Sequence, residues 1–271
     1  MRAYRLAYDG RPFYGYQRQP DVPTVENTLL AGLSAIDVVE SANEVPPNYA
    51  AAGRTDAGVS AVAQTIAFEA PEWCTPAAVN AELPGSVRAW AAADVGEAFH
   101  PTRDATRRTY VYHLHAPDAD DDAAATAAEA LSGEHDFHNL TSDEHRTVRD
   151  VSASIEREGE FLAVEVAAGG FPRGFVRRFV GVLSQVAVDG EPPEARAAEV
   201  LGQEPLQGGR GVPRMPPEPL VLADVAYPGV AFETDEQAAG SAHEVFEAHR
   251  VDGLERVRVA ETVLSGLRTE D

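Results

Sequence analysis

Lysine is missing from this chain of 271 residues: all 22 of its basic residues are arginine. Cysteine is nearly missing too, and with Cys74 alone no intrachain disulfide can form and nothing points to an oxidising compartment. No apolar run is long enough to cross a bilayer, and no signal pattern marks the N-terminus, so a soluble, cytoplasmic protein is expected. Against these shortages stands an excess of acid, with 44 Asp and Glu giving a formal net charge of −22. Carboxylates without lysine suit a cytosol kept at very high salt, where at ~1 M ionic strength the screening length shrinks to about 3 Å. The acidity is therefore read as habitat, although nucleic-acid binders ordinarily carry a basic footprint. Arginines do cluster locally, at Arg103, Arg107 and Arg108 and again at Arg173, Arg177 and Arg178, which suggests two positive strips on an acidic body.

A hydrophobic share of 44% indicates a folded core. Residues 2–8 alternate as a strand does and run into the turn signal Asp9-Gly10. Thr24 is placed to cap a helix whose apolar positions Val25, Leu29, Leu33 and Ile36 lie three or four apart. Residues 62–68 alternate as a half-buried strand, and Thr75-Pro76 opens a short helix. Strands are expected again over residues 109–115 and 161–166, with helices over 123–131 and over 174–188, the latter carrying Arg177 and Arg178 near its start. Residues 207–219, rich in Gly and Pro, read as loop, and Thr234 with Gln237 suggests a capping box opening a helical tail. The expected organisation is an N-terminal α+β subdomain (1–103), a C-terminal α+β subdomain (104–230) with its sheet beside the first, and the tail (231–271).

The segment Gly53-Arg54-Thr55-Asp56-Ala57-Gly58-Val59 sets one carboxylate in a glycine-flanked turn, which would present Thr55 and Asp56 outward beside the guanidinium of Arg54. Phe13, Tyr14, Tyr16, Gln17, Arg18 and Gln19 mix aromatic faces with amide and guanidinium donors, a composition suited to bases and phosphates. Other chemistries find little support. His113, His115, His135 and His138 are spaced only weakly like metal ligands, since His-x-His on a strand shares a face by geometry alone, and no metal is expected. Residues 169–174 are glycine-rich but lack the lysine of a phosphate-cradling loop, and no Gly-x-Ser-x-Gly elbow occurs.

The segment around Asp56 resembles the active-site signature of the TruA family of tRNA pseudouridine synthases, and the surrounding motifs fall in family order. Tyr8-Asp9-Gly10 with Phe13, Gly15, Gln17 and Gln19 is similar to the opening motif, and Thr24-Val25-Glu26 to the helix start that follows. Leu83-Pro84 and Phe99-His100 come next, then Arg108-Thr109-Tyr110-Val111-Tyr112, which resembles the Arg-x-Tyr-x-Tyr strand. Gly133 with His135-Asp136-Phe137, Phe175-Val176-Arg177 through Gly181, and Pro217 through Tyr227 complete a match spanning residues 4–227. The chain departs from the pattern at Tyr16 (commonly Trp), Ser60 (His), Phe175 (Met) and Thr102-Arg103, where an arginine is displaced by one position.

The resemblance implies the pseudouridine synthase fold, α+β with mostly antiparallel sheets, outer helices and a central cleft. It implies no cofactor, since breaking the glycosidic bond, turning the base and rejoining it through carbon needs no electron carrier. It makes Asp56 the catalytic carboxylate, as nucleophile or as base, with Arg177 as the counter-charge that favours its ionised form. A base stacked in RNA must be flipped out, with Arg54 filling the vacated space and Tyr110 stacking on the uracil or moving protons at it. Phe13, Gln17, Arg18, His100, Arg103, Arg107, Arg108 and Arg178 are expected RNA contacts. The substrate implied is the anticodon stem-loop of tRNA, positions 38 to 40, bound by a homodimer. A tRNA-binding protein without chemistry, or a nucleoside glycosidase that cleaves without rejoining, are the alternatives.

Overall fold

The computed structural model describes residues 1–206 and 208–267. Gln207, expected to begin a loop, and residues 268–271 of the expected tail lie outside the described residues.

Ten strands form one sheet. In chain order the elements are β1 (Arg2–Tyr8), α1 (Val25–Ala35), β2 (Ala50–Ala51), β3 (Ser60–Phe68), α2 (Pro76–Asn80), β4 (Val87–Asp94), β5 (Arg107–His115), α3 (Asp121–Ala130), β6 (Gly133–Asp136), β7 (Val148–Glu158), β8 (Phe161–Ala168), α4 (Phe175–Ala187), α5 (Pro193–Val200), β9 (Leu220–Ala226), β10 (Glu233–Thr234) and α6 (Glu236–Gly266). Their spatial order is β10-β4-β1-β3-β9-β5-β8-β7-β6, with β2 paired to β3 off that path. The pairings are antiparallel except one: β9 lies parallel to β3, with Ser60 opposite Val221 and Ala61 opposite Leu222. The architecture is thus the mostly antiparallel α+β arrangement expected, with the two side-by-side sheets joined edge to edge through β9.

Two hydrophobic clusters cover this sheet. One gathers Tyr4, Leu6, Leu29, Leu33 and Phe68 between α1 and the strands β1 and β3. The other packs Phe175, Phe179 and Leu183 of α4 on Val164 and Val166 of β8. β9 belongs to both, giving Leu222 and Val225 to the first and Leu220 to the second, and Tyr110 of β5 packs against both from the seam. Arg5 ties the same seam: from β1 it donates to the carbonyls of Ala63 at 3.1 Å and Val225 at 2.6 Å, while its guanidinium carbon lies 4.4 Å from the centre of the Phe232 ring.

Local signals account for several elements. Thr24 caps α1 as expected, its hydroxyl accepting from the Asn27 amide at 3.2 Å. α4 buries Phe175, Val176, Phe179, Val180, Leu183 and Val186, an amphipathic stripe that needs the opposing sheet. Others differ. Thr234 does not cap the tail but lies in β10, paired with Ala91, and Asp235 is the cap, its side chain accepting from Ala238. β3 is not half-buried: apart from partly exposed Ser60 and exposed Val62 it is buried on both faces. β4, which no pattern announced, is alanine-rich and is held as a strand by β1 and by the packing of α6 across it.

Candidate active site

The loop between β2 and β3 is stitched to the opening segment. The Tyr16 amide donates to the Thr55 carbonyl at 3.1 Å and the Gly58 amide to the Phe13 carbonyl at 3.2 Å. Gly58 takes φ +81°, a left-handed turn that a side chain resists. Gly53 has no such need, since a Cβ there meets nothing within 4 Å. Thr55 does not point outward: it is buried, its hydroxyl 2.8 Å from that of Tyr8, so its side chain anchors the loop. Arg54 and Asp56 are the charged side chains that the loop brings to the cleft.

The opposite wall comes from α4 and from the loop before β9. Arg177 Nη1 stands 3.6 Å from Asp56 Oδ2, and Arg214 Nη2 contacts the same oxygen directly. Arg177 is the more enclosed, with 13% of its side chain exposed against 39% for Arg214. It is also clamped: its Nε donates to the Met215 carbonyl, and the Met215 amide donates back to the Arg177 carbonyl at 3.2 Å. Pro213 lies close on α4 because residue 181 is glycine, where a Cβ would sit 2.2 Å from the Pro213 carbonyl oxygen. Burial, then the neighbouring Arg214, draw the Arg177 guanidinium below its usual value, with Asp56 opposing the shift. Burial and Arg214 act in the same direction on Arg178.

Tyr110 forms the floor, edge-on to Phe171 at 5.5 Å between ring centres. Burial pushes its phenol up to about 12, with Arg108 opposing and Asp56 adding to the shift, so at neutral pH it is a neutral hydrogen-bond donor with an apolar face. The cleft that these residues bound has a volume of about 1040 Å³ and is lined also by Gln17, Arg54, Phe171 and Arg173.

The fold therefore brings Gln17, Arg54, Asp56, Tyr110 and Arg177 to one cavity. The remaining expected residues lie elsewhere. Phe13 is buried in the N-terminal core beneath the loop. Arg108 donates to the carbonyls of Ala52, Thr102 and Gly169 at 3.1, 2.8 and 2.6 Å, strapping three segments around the cleft. Arg107 reaches Ser152 at 2.6 Å, Arg18 reaches the Asn43 carbonyl at 2.8 Å, and Arg103 is exposed. His100 turns its ring back on the Thr102 amide at 3.2 Å. Arg178 lies beside Gly174 and Arg214. Arg214 itself was not anticipated, and its signal, an arginine between prolines in an apolar loop, is faint. Among the described residues no group of three or more His, Cys, Asp or Glu could hold a metal ion, and no helix is long and apolar enough to cross a membrane.

A family model described as tRNA pseudouridine synthase matches residues 127–228. The tRNA pseudouridine synthase A of Haloarcula marismortui is 52% identical over 276 residues, covering 98% of this chain and 100% of that protein. That of Natronomonas pharaonis is 55% identical over 262 residues, covering 96% and 97%. This chain belongs to the tRNA pseudouridine synthase A family. A solved archaeal box H/ACA Nop10–Cbf5 complex is similar over 69% of this chain and 43% of that chain, at 13% identity and a TM-score of 0.38.

Proposed function

We propose that this cleft isomerises uridine to pseudouridine in the anticodon stem-loop of tRNA, at positions 38 to 40. The observation that carries the reading is Asp56, a loop carboxylate facing two guanidiniums across a cleft floored by a neutral tyrosine. The chemistry balances without an outside reagent. The bond from ribose C1′ to uracil N1 breaks, the base turns, C5 bonds to C1′, and the proton lost from C5 is matched by one gained at N1. Asp56 acts on the ribose, as nucleophile at C1′ or as base at the adjacent carbon, with the guanidiniums of Arg177 and Arg214 set against its Oδ2.

Flipping the uridine out of the stem costs a few kcal/mol, offset by stacking on Tyr110 and by Arg54 occupying the space left behind. Exposed Arg18 and Arg103 each adjoin a cleft-lining residue, Gln17 or Thr102, and extend the contact to the RNA backbone, as do Arg107 and Arg178. At high salt counterion release contributes little, so stacking and forked arginine contacts carry more of the affinity. Residues 1–103 and 104–230 supply one wall each, and the protein acts in the cytoplasm as a homodimer.

The test is Asp56→Ala assayed on tRNA with chemical labelling of pseudouridine. No product with tRNA binding retained is expected, whereas continued turnover would remove Asp56 from the reaction. Free uracil released by the unmodified protein would point to a glycosidase, and tRNA binding without any product to a binding protein.

A further inference from the structure

Asp56 has one more cation than it needs. Its Oδ2 meets both Arg177 Nη1 and Arg214 Nη2, and Arg178 stands beside Arg214, its proton affinity lowered by burial and then by that neighbour. One negative charge against two guanidiniums leaves a surplus that an anionic ligand would neutralise.

The two arginines are held differently. Arg177 is enclosed and locked to Met215 by two hydrogen bonds, so its place on Asp56 is part of the fold. Arg214 makes no other hydrogen bond or ion pair among the described residues, and its side chain is 39% exposed at the cleft. Its backbone is nevertheless fixed, between Pro213 seated on Gly181 and Met215 clamped to Arg177. On this anchored backbone the Arg214 side chain is partly exposed, and it sits on the oxygen the reaction uses.

We propose that Arg214 is a phosphate-binding residue parked on Asp56 in the empty cleft: the phosphate of the flipped nucleotide takes its guanidinium over and leaves Asp56 with Arg177 alone. The proposal rests on the assignment of the cleft to a flipped uridine. A ribose at Asp56 brings its own phosphate within reach of a neighbouring arginine, and the guanidinium fork matches phosphate as well as it matches carboxylate. The exchange would keep the Asp56 lone pairs covered until a nucleotide arrives, so that binding itself exposes the reactive group.

A double-mutant cycle read by tRNA binding tests this, using Asp56→Asn, Arg214→Gln and the pair across a KCl series in which the protein stays folded. Arg214→Gln should weaken binding and reduce the salt slope by slightly under one, the signature of one lost phosphate contact. Asp56→Asn should tighten binding by roughly three- to tenfold, because Arg214 no longer has to be pulled away, and that gain should vanish when Arg214 is already Gln. Arg214→Lys keeps the charge in a form close to native and should keep the salt slope while losing part of the affinity. Additive effects in the cycle, or a salt slope that Arg214→Gln leaves unchanged, would show that Arg214 stays on Asp56 and would overturn the proposal. An unmodified protein that neither binds nor isomerises tRNA would instead remove the assignment of the cleft.

Discussion

Arg177 and Met215 hold each other by both backbone and side chain: the Met215 amide donates to the Arg177 carbonyl at 3.2 Å, and the Arg177 Nε donates to the Met215 carbonyl. The pair fuses α4 to the loop before β9, so the counter-charge of Asp56 comes from two segments acting as one.

Gly181 is what lets them meet. A methyl group in Gly181→Ala would press within 2.2 Å of the Pro213 carbonyl, and backbone must yield. Stability should fall by about 1 to 3 kcal/mol. Turnover at a temperature where the variant is folded should fall as well, because Met215 and Arg214 shift with Pro213. Normal turnover in a folded Gly181→Ala would show that this loop does not set the geometry at Asp56.

Arg177→Lys keeps a positive charge but loses the Nε bond to Met215. A loss of about a hundredfold in kcat is expected for a misplaced preorganised charge, with the Kd for tRNA nearly unchanged. Single-turnover kinetics against binding would separate the two; a rise in Kd alone would recast Arg177 as an RNA contact.

Arg5 offers a contrast far from the chemistry. It is buried, it donates to carbonyls on β3 and β9, and burial lowers its proton affinity. Arg5→Met should destabilise the protein by about 2 to 4 kcal/mol, since two buried carbonyls lose their donor. Denaturant unfolding measures the loss, and activity per folded molecule should be kept.

How much of this was legible in the sequence depended on how local each cause is. Thr24 announces α1 and the stripe from Phe175 to Val186 announces α4, because caps and helical periodicity are written within a few residues. The Asp56 loop was legible for the same reason, although Thr55 turned inward to a partner, Tyr8, that only the sheet brings near. β4 was not legible, since its alanines have weak strand preference and are held by β1 and α6. Nor was β7, where only Val151, Ala153 and Ile155 alternate and exposed Val148 falls on the opposite face among Arg, Asp, Ser and Glu. Arg214 shows the limit most clearly: it meets Asp56 across 158 positions of chain, and nothing around it in Val-Pro-Arg-Met-Pro-Pro has a period to read.

Alkali should unfold the protein sharply. Burial raises the phenols of Tyr4, Tyr8, Tyr16, Tyr49, Tyr110, Tyr112 and Tyr227 above their ordinary value of 10.0, with Tyr110, Tyr112 and Tyr227 at about 12. Above pH 10 the unfolded chain loses these protons while the folded chain keeps them, so stability is fully present below that point and falls as pH rises. The melting temperature in constant KCl should hold between pH 8 and about 9.5 and then drop steeply. A flat profile to pH 11 would mean that water reaches these rings.

The place of β9 decides when the two walls of the cleft can meet as the chain folds. It is the strand that joins the two halves of the sheet, yet it follows β1 to β8 in the chain. A nascent chain that ends before residue 214 carries the aspartate and the helix arginine but neither the strand that brings their walls together nor the loop that fastens Arg177. Such a piece would hold both charges of the pair with nothing to bring them face to face.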